Sequence, residues 1–199
     1  MATINRDTGY KTSRPLWLLL LLALLFANPT RAVEESSALF QVRQVNPAWV
    51  HDVYQINAQI RYTLTPQVEE ALQKGVTLVV VVDIEIDRQR PYFLNAKVAS
   101  LEQRYELRYH ALSGLYLLTN ANSGVLNSFT TLTTALEVLG RVVDLPVLDH
   151  QLIDPKEHYT GAMRARLDID ALPTPLRLLA YVTPGWRLSS EWFVWKLGK

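Results

Sequence analysis

Three carboxylates alternate with apolar residues along one predicted strand. Asp83, Glu85 and Asp87 are separated by single residues, so their side chains point to one face of the strand at intervals of roughly 7 Å. A hard cation such as Ca²⁺ prefers carboxylate ligands, but it gathers them at about 2.3–2.6 Å from a tight loop, which a straight strand does not supply. We therefore favour a structural role for these acids over a metal site.

A second segment carries basic side chains in the same pattern. Arg104, Glu106, Arg108 and His110 share one face of a predicted strand whose other face is aromatic and apolar. If the two strands pair in antiparallel fashion, the acids and arginines meet in a cross-strand ladder on the solvated face. Each exposed ion pair contributes only about 0.2–1 kcal/mol. Arg104, Arg108 and His110 are also candidates for contacts with a partner.

The C-terminal segment contains three of the five tryptophans, namely Trp186, Trp192 and Trp195. Aromatic side chains over such a short stretch can form a sugar- or lipid-binding platform or a protein interface. Alternatively, they lock a terminal strand into the sheet. We favour packing and keep the three tryptophans as interaction candidates.

The sequence lacks the common signatures of catalysis and metal binding. It has no cysteine, which excludes disulfides, thiolate metal sites and a cysteine nucleophile. The four histidines lie in separate segments without the spacing of a zinc motif, at His51, His110, His150 and His158. The G-x-S-x-G, G-x-G-x-x-G and P-loop patterns are missing. We expect no enzymatic activity, no cofactor and no metal, although a catalytic triad can assemble from distant residues.

The elements that position these residues are mostly strands. Alternation is clearest from Tyr54 to Leu64, and a shorter strand from Leu39 to Val45 is predicted to end at Asn46 and Pro47. The segment Val76–Asp87 is apolar on both faces in its first half, which indicates a central strand. Further strands are predicted over Lys97–Leu112, Leu115–Thr119, Tyr159–Asp170 and Arg187–Leu197.

Short helices and turns connect the strands. Thr65 caps the first helix and Gly75 closes it; Leu132–Leu139 is the second, with Gly140 as terminator, and Pro173–Tyr181 is a helical turn. Because turns rather than long crossover helices join the strands, antiparallel pairing is favoured. The prediction is a mainly β (α+β) fold: an antiparallel β-sandwich-like domain with two or three short helices.

The N-terminus has the three parts of a secretory signal. Residues 1–15 are polar and basic, residues 16–27 are apolar, and the small residues Thr30 and Ala32 precede a cleavage position before Val33. Twelve residues of helix span roughly 18 Å, against a hydrocarbon core of about 30 Å. We predict a cleaved signal over residues 1–32 and a single β-rich periplasmic domain over residues 33–199. The alternative is a short inner-membrane anchor facing the periplasm, with membrane contact only through residues 16–27.

The charge of the predicted mature domain argues against nucleic acid as a partner. The whole chain of 199 residues has a net charge of +1, but residues 33–199 hold 16 basic and 18 acidic side chains. Nucleic-acid phosphates require a clustered basic face, so this partner class is not expected.

Several segments together resemble a known family. Tyr105–Ser113, Leu167–Pro173, Pro175–Arg177 and Trp186–Ser190 are similar to the proteobacterial envelope family catalogued as domain of unknown function 4390. The resemblance implies an N-terminal signal or short anchor. It also implies genes that often lie beside those of a nitrogen-regulation-type sensor kinase and response regulator. It implies no catalytic residue.

Three functions remain open. The leading hypothesis is a non-catalytic periplasmic accessory module that binds an envelope protein, such as the ectodomain of a two-component sensor kinase. The second is a periplasmic carrier of a lipid or glycan, and the third is a hydrolase with a dispersed site.

Overall fold

The computed structural model describes residues 39–91 and 94–198. The predicted export signal, residues 1–32, lies outside the described residues. Within the described ranges, no helix has the length and apolar character needed to cross a membrane.

Nine strands, numbered in chain order, form two antiparallel sheets in the described part of the chain. The three-stranded sheet has the order β1 (Phe40–Val50), β2 (Val53–Tyr62), β7 (Arg141–Asp149). The six-stranded sheet has the order β6 (Leu126–Phe129), β5 (Leu115–Asn120), β4 (Ala96–His110), β3 (Leu78–Arg88), β8 (Tyr159–Leu167), β9 (Phe193–Lys196). The mainly β, antiparallel prediction is confirmed.

Both sheets contribute to one apolar core. Alternate residues of β2 point inward, as the period-two pattern predicts, and Ile56 is fully buried with Ile84 of β3 and Met163 of β8. β3 lies between β4 and β8, and both of its faces are buried from Leu78 to Ile84. The predicted central strand is therefore confirmed.

Three short helices lie within the described residues: α1 (Pro66–Gln73), α2 (Leu132–Leu139) and α3 (Thr174–Val182). The Thr65 hydroxyl accepts a hydrogen bond from the Val68 amide, which satisfies one unpaired N–H at the start of α1. Gly75 follows α1 with φ of +87°, a left-handed conformation that favours glycine. These boundaries confirm the predicted helices.

Proline positions account for two differences from the predicted strands. β1 continues through Pro47 to Val50, because β1 is an edge strand and can tolerate a residue without an N–H donor. The sequence pattern did not predict β7, which contains Pro146 and Asp144, a residue with φ of +46°. Register shifts at two points of the β2–β7 pairing break its alternation.

Gly140 and the C-terminal segment also differ from expectation. Gly140 ends α2 with φ of −75°, so a left-handed terminator is not the reason for glycine there. The final strand is shorter than predicted: β9 covers Phe193–Lys196, and an isolated bridge joins Ser189 to Arg166.

Candidate functional site

The outer face of the six-stranded sheet carries a network of ion pairs centred on Asp83. This carboxylate is 7% exposed and accepts hydrogen bonds from Arg164 Nη2 at 2.8 Å and Arg166 Nε at 2.9 Å. Arg104 extends the network by pairing with Asp168 and Glu102. Three carboxylates therefore balance three guanidinium groups.

The predicted cross-strand ladder is correct in kind but wrong in its partners. Asp83 lies opposite Glu102 of β4, and its arginines come from β8, on the other side of β3. Glu85 pairs with Lys97 at 2.6 Å, rather than with an arginine. Arg108 lies opposite Leu117 of β5, beyond the end of the β3–β4 pairing.

The arginines determine the ionisation of Asp83. Burial alone acts to raise the pKa of this carboxyl, but the hydrogen bonds from Arg166 and Arg164 outweigh burial and hold its pKa below the usual range. The hydrogen bond to Asp83 likewise raises the pKa of Arg166. Because these charges satisfy one another, the network has the character of a structural brace.

Trp192 and His110 border this outer face in different ways. The guanidinium carbon of Arg164 lies 4.5 Å from the centre of the Trp192 ring, a cation–π contact that leaves the indole 37% exposed. His110 is the last residue of β4, and its Nδ1 is 2.9 Å from the Ser113 hydroxyl in the following turn. The structure thus brings Arg104 and Trp192 to one face, whereas His110 lies at the end of the sheet.

A pocket of about 650 Å³, lined by both apolar and polar residues, lies elsewhere, between the β1–β2 turn, the segment joining β7 to β8 and the chain around the end of β9. It brings together three of the four histidines, His51, His150 and His158. Trp49 forms part of its wall, with its ring 5.2 Å from that of His150 and its Nε1 donating to the Gly198 carbonyl at 3.2 Å. Sequence reasoning missed this convergence.

Backbone hydrogen bonds fix the frame of this histidine pocket. The His150 amide donates to the Asp52 carbonyl at 2.8 Å, and the Gln89 amide donates to the His158 carbonyl at 2.8 Å. Asp52, Asp154 and Glu157 line the pocket with the histidines. Among the residues that the structure describes, no three histidines or acids are placed to hold a metal ion.

Comparison with known proteins identifies the family. A family model described as "Domain of unknown function (DUF4390)" matches residues 37–196. The chain belongs to this family. No curated protein and no solved structure matches the chain.

Two of the predicted interaction residues pack into or against the core of the DUF4390 domain. Trp186 is 5% exposed, within the core. Trp195 is half-buried, and its Nε1 donates to the Tyr54 hydroxyl at 3.0 Å. The packing interpretation is therefore correct for both residues, and Trp192 is the most exposed of the three tryptophans.

The DUF4390 domain also exposes an apolar helix face. Leu178, Leu179 and Val182 of α3 are 66%, 57% and 76% exposed, while Ala180 is buried. The sequence pattern alone does not reveal this surface, because an apolar helical stripe normally faces the core.

Two signals in the sequence point to features that we missed. Arg164 and Arg166 are separated by one residue within a predicted strand, the same spacing as the acids of β3. The three pocket histidines each lie near a predicted turn or strand end, but only the strand order brings those ends together.

Proposed function

We propose that this DUF4390 protein is a non-catalytic, exported accessory module that binds an envelope protein, namely the periplasmic ectodomain of a two-component sensor kinase. The single observation that carries this proposal is the exposed apolar face of α3. Contiguous exposed apolar surface is characteristic of protein or membrane contact sites.

The geometry of α3 makes this face continuous. Pro175, Leu178, Leu179 and Val182 follow the i, i+3, i+4, i+7 spacing, so they lie along one side of the helix. All four are exposed, and Ala180 and the half-buried Leu176 face the core instead. The helix therefore directs its apolar stripe outward, where a partner can bury it.

The ends of α3 are held in place, which gives the surface a fixed shape. Arg177 donates to the Leu172 carbonyl at 3.1 Å, and Arg187 donates to the Tyr181 carbonyl at 2.8 Å. The Tyr181 hydroxyl also donates to Asp170. A preorganised surface loses less conformational entropy on binding than a mobile one does.

The test is site-specific photocrosslinking in living cells. A benzophenone amino acid at Leu178 is expected to crosslink to the kinase ectodomain, and Leu179→Ser with Val182→Ser should abolish that crosslink. Leu112, which is 96% exposed in the β4–β5 turn, provides the matched control position. Equal crosslinking from both positions, or none to a kinase, would contradict the proposal.

The export part of the proposal has its own test. The predicted signal would yield a periplasmic protein that begins at Val33, whereas an uncleaved anchor would retain Met1 and remain with the inner membrane. N-terminal sequencing of both fractions distinguishes these two outcomes. A soluble cytosolic protein that retains Met1 would contradict export.

A second candidate function is a carrier of a lipid or glycan, and the histidine pocket favours it. The pocket combines one indole wall with imidazole and carboxylate groups, a combination suited to orienting a polar ligand. Native mass spectrometry of protein isolated from the envelope is expected to detect a co-purified ligand that His158→Asn releases. If all of the folded protein has the mass of the chain alone, the carrier function is excluded.

A further inference from the structure

A second cavity, a polar groove, lies at the opposite end of the three-stranded sheet from the histidine pocket. It occupies about 940 Å³ between the sheet and the helices α1 and α2. Arginines from all three strands line it: Arg43 of β1, Arg61 of β2 and Arg141 of β7. Two carboxylates, Glu69 and Glu137, also reach its walls.

Strand register brings the arginines close together. Arg141 lies opposite Gln59, and Arg61 follows Gln59 by two residues on the same face of β2. Arg43 lies at the register shift of β1, between the pairing of Val42 with Ile60 and that of Gln44 with Gln59. Cross-strand neighbours have Cβ atoms about 5 Å apart and diagonal neighbours about 7 Å apart, so a single ligand can contact all three guanidinium groups.

These arginines differ from those of the Asp83 network. Arg104, Arg164 and Arg166 each form ion pairs, whereas no ion pair within the described residues involves Arg43, Arg61 or Arg141. All three side chains are exposed. With Glu69 and Glu137 included, the groove keeps a formal charge of +1.

The first turn of α2 adds hydrogen-bond donors. Leu132 and Thr133 line the groove, and they are the first two residues of the helix. The Thr131 hydroxyl accepts from the Thr134 amide at 3.2 Å, but the first two amides of a helix have no intrahelical acceptor. Such amides, together with the positive end of the helix dipole, favour an anion.

We propose that this arginine groove binds a phosphate-bearing ligand. A guanidinium group binds phosphate oxygens through two parallel hydrogen bonds, which a lysine cannot do. A carboxylate has only two oxygens, so it cannot satisfy three guanidinium groups and helix amides as fully as a phosphate does. A soluble phosphate ester and the headgroup of an anionic phospholipid share this chemistry.

The experiment measures binding of the full chain to two kinds of probe. Glycerol 3-phosphate represents the soluble ester, and vesicles of phosphatidylglycerol represent the lipid headgroup, with phosphatidylcholine vesicles as the uncharged reference. Binding of either anionic probe is expected to weaken at least tenfold in Arg61→Gln and in Arg141→Gln. Arg108→Gln, an exposed arginine on the other sheet, is expected to bind as the native chain does.

Glu137→Gln is a variant that is expected to change the binding affinity in the opposite direction. Removal of this carboxylate raises the positive charge of the groove, so binding is expected to tighten. If glycerol 3-phosphate binds, and binds more weakly to Arg61→Gln and Arg141→Gln and more tightly to Glu137→Gln, the ligand is a soluble phosphate ester. If only the phosphatidylglycerol vesicles bind, with the same differences among the variants, the ligand is the lipid headgroup. Absence of binding to both probes, or equal binding by the native chain, Arg61→Gln and Arg141→Gln, overturns the proposal.

Discussion

The indole of Trp195 donates a hydrogen bond to the hydroxyl of Tyr54 at 3.0 Å, and this bond joins the two sheets. Trp195 belongs to β9 of the six-stranded sheet, whereas Tyr54 belongs to β2 of the three-stranded sheet. Tyr54 is 2% exposed, and its burial raises the pKa of its hydroxyl, an effect that the bond to Trp195 partly offsets. The C-terminal strand is thus fixed to the core by a specific polar contact as well as by its aromatic surface.

We expect Tyr54→Phe to lower the free energy of unfolding by about 1–2 kcal/mol, because it leaves the N–H of the half-buried Trp195 without its acceptor. Trp195→Phe should cost more, since it also removes packed aromatic area. A double-mutant cycle measured by urea denaturation should give a coupling energy of about 1 kcal/mol between the two positions. Strict additivity of the two substitutions would show that the bond contributes nothing to stability.

Gly140 is required by a close approach rather than by its backbone angle. A Cβ atom at this position would lie 2.0 Å from the Ile60 carbonyl oxygen, and the Ile60 amide donates to the Gly140 carbonyl at 2.8 Å. We expect Gly140→Ala to destabilise the domain by about 1–3 kcal/mol through backbone displacement. Gly198→Ala, where nothing lies within 4 Å of the added atom, is the control in the same thermal denaturation experiment. An unchanged melting temperature in Gly140→Ala would contradict the close approach.

Much of the secondary structure could be predicted because local signals agreed with the fold. The cap at Thr65 marks the start of α1, Gly140 marks the end of α2, and alternation marks β2 along its whole length. β7 could not be predicted in this way. Two hydrogen bonds hold the irregular part of β7 against β2: the Asp144 amide donates to Asn57 Oδ1, and Asn57 Nδ2 donates to the Asp144 carboxylate. These two residues are 87 positions apart in sequence.

The ion-pair network around Asp83 could likewise be predicted from the sequence only in part. The sequence indicates the sign and spacing of the charges on β3, but not which strand lies beside it. Asp83 is bound by Arg164 and Arg166 because β8 pairs with β3 from a position some eighty residues later in the chain. Partner choice in such a sheet depends on strand order, which alternation does not encode.

The Asp83 network should make stability depend on pH in the acidic range. The pKa of Asp83 is lowered in the folded state, so its contribution to stability is fully present above the unfolded value of about 3.9. This contribution is lost as the pH falls through that value towards the lower folded pKa. We expect Asp83→Asn to reduce the free energy of unfolding by about 2 kcal/mol at pH 7, because it leaves two arginines without their carboxylate.

The measurement is urea denaturation of the native chain and Asp83→Asn at pH 7 and at pH 3. The difference between their free energies of unfolding should narrow at the lower pH, because the Asp83 carboxyl of the unfolded native-sequence chain then binds a proton. Glu70→Gln removes an exposed ion pair with Lys74 on α1 and is expected to have no measurable effect. A difference that stays constant down to pH 2 would show that the carboxylate charge is not responsible.

The hydroxyl of Tyr62 is the one buried side-chain polar atom without a hydrogen-bond partner among the described residues. The residue is 6% exposed, its ring packs edge-on against Phe40 at 4.8 Å, and burial raises the pKa of its hydroxyl. An unpaired buried hydroxyl costs about 1–3 kcal/mol.

We expect Tyr62→Phe to leave stability unchanged or to raise it by up to about 1 kcal/mol, in contrast to Tyr54→Phe, which removes a bonded hydroxyl. Because both variants delete the same atom from a buried tyrosine, the difference between their free energies of unfolding tests whether the hydrogen bond, rather than the loss of the hydroxyl itself, determines the outcome. Equal destabilisation by the two variants in urea denaturation would refute this account of the core.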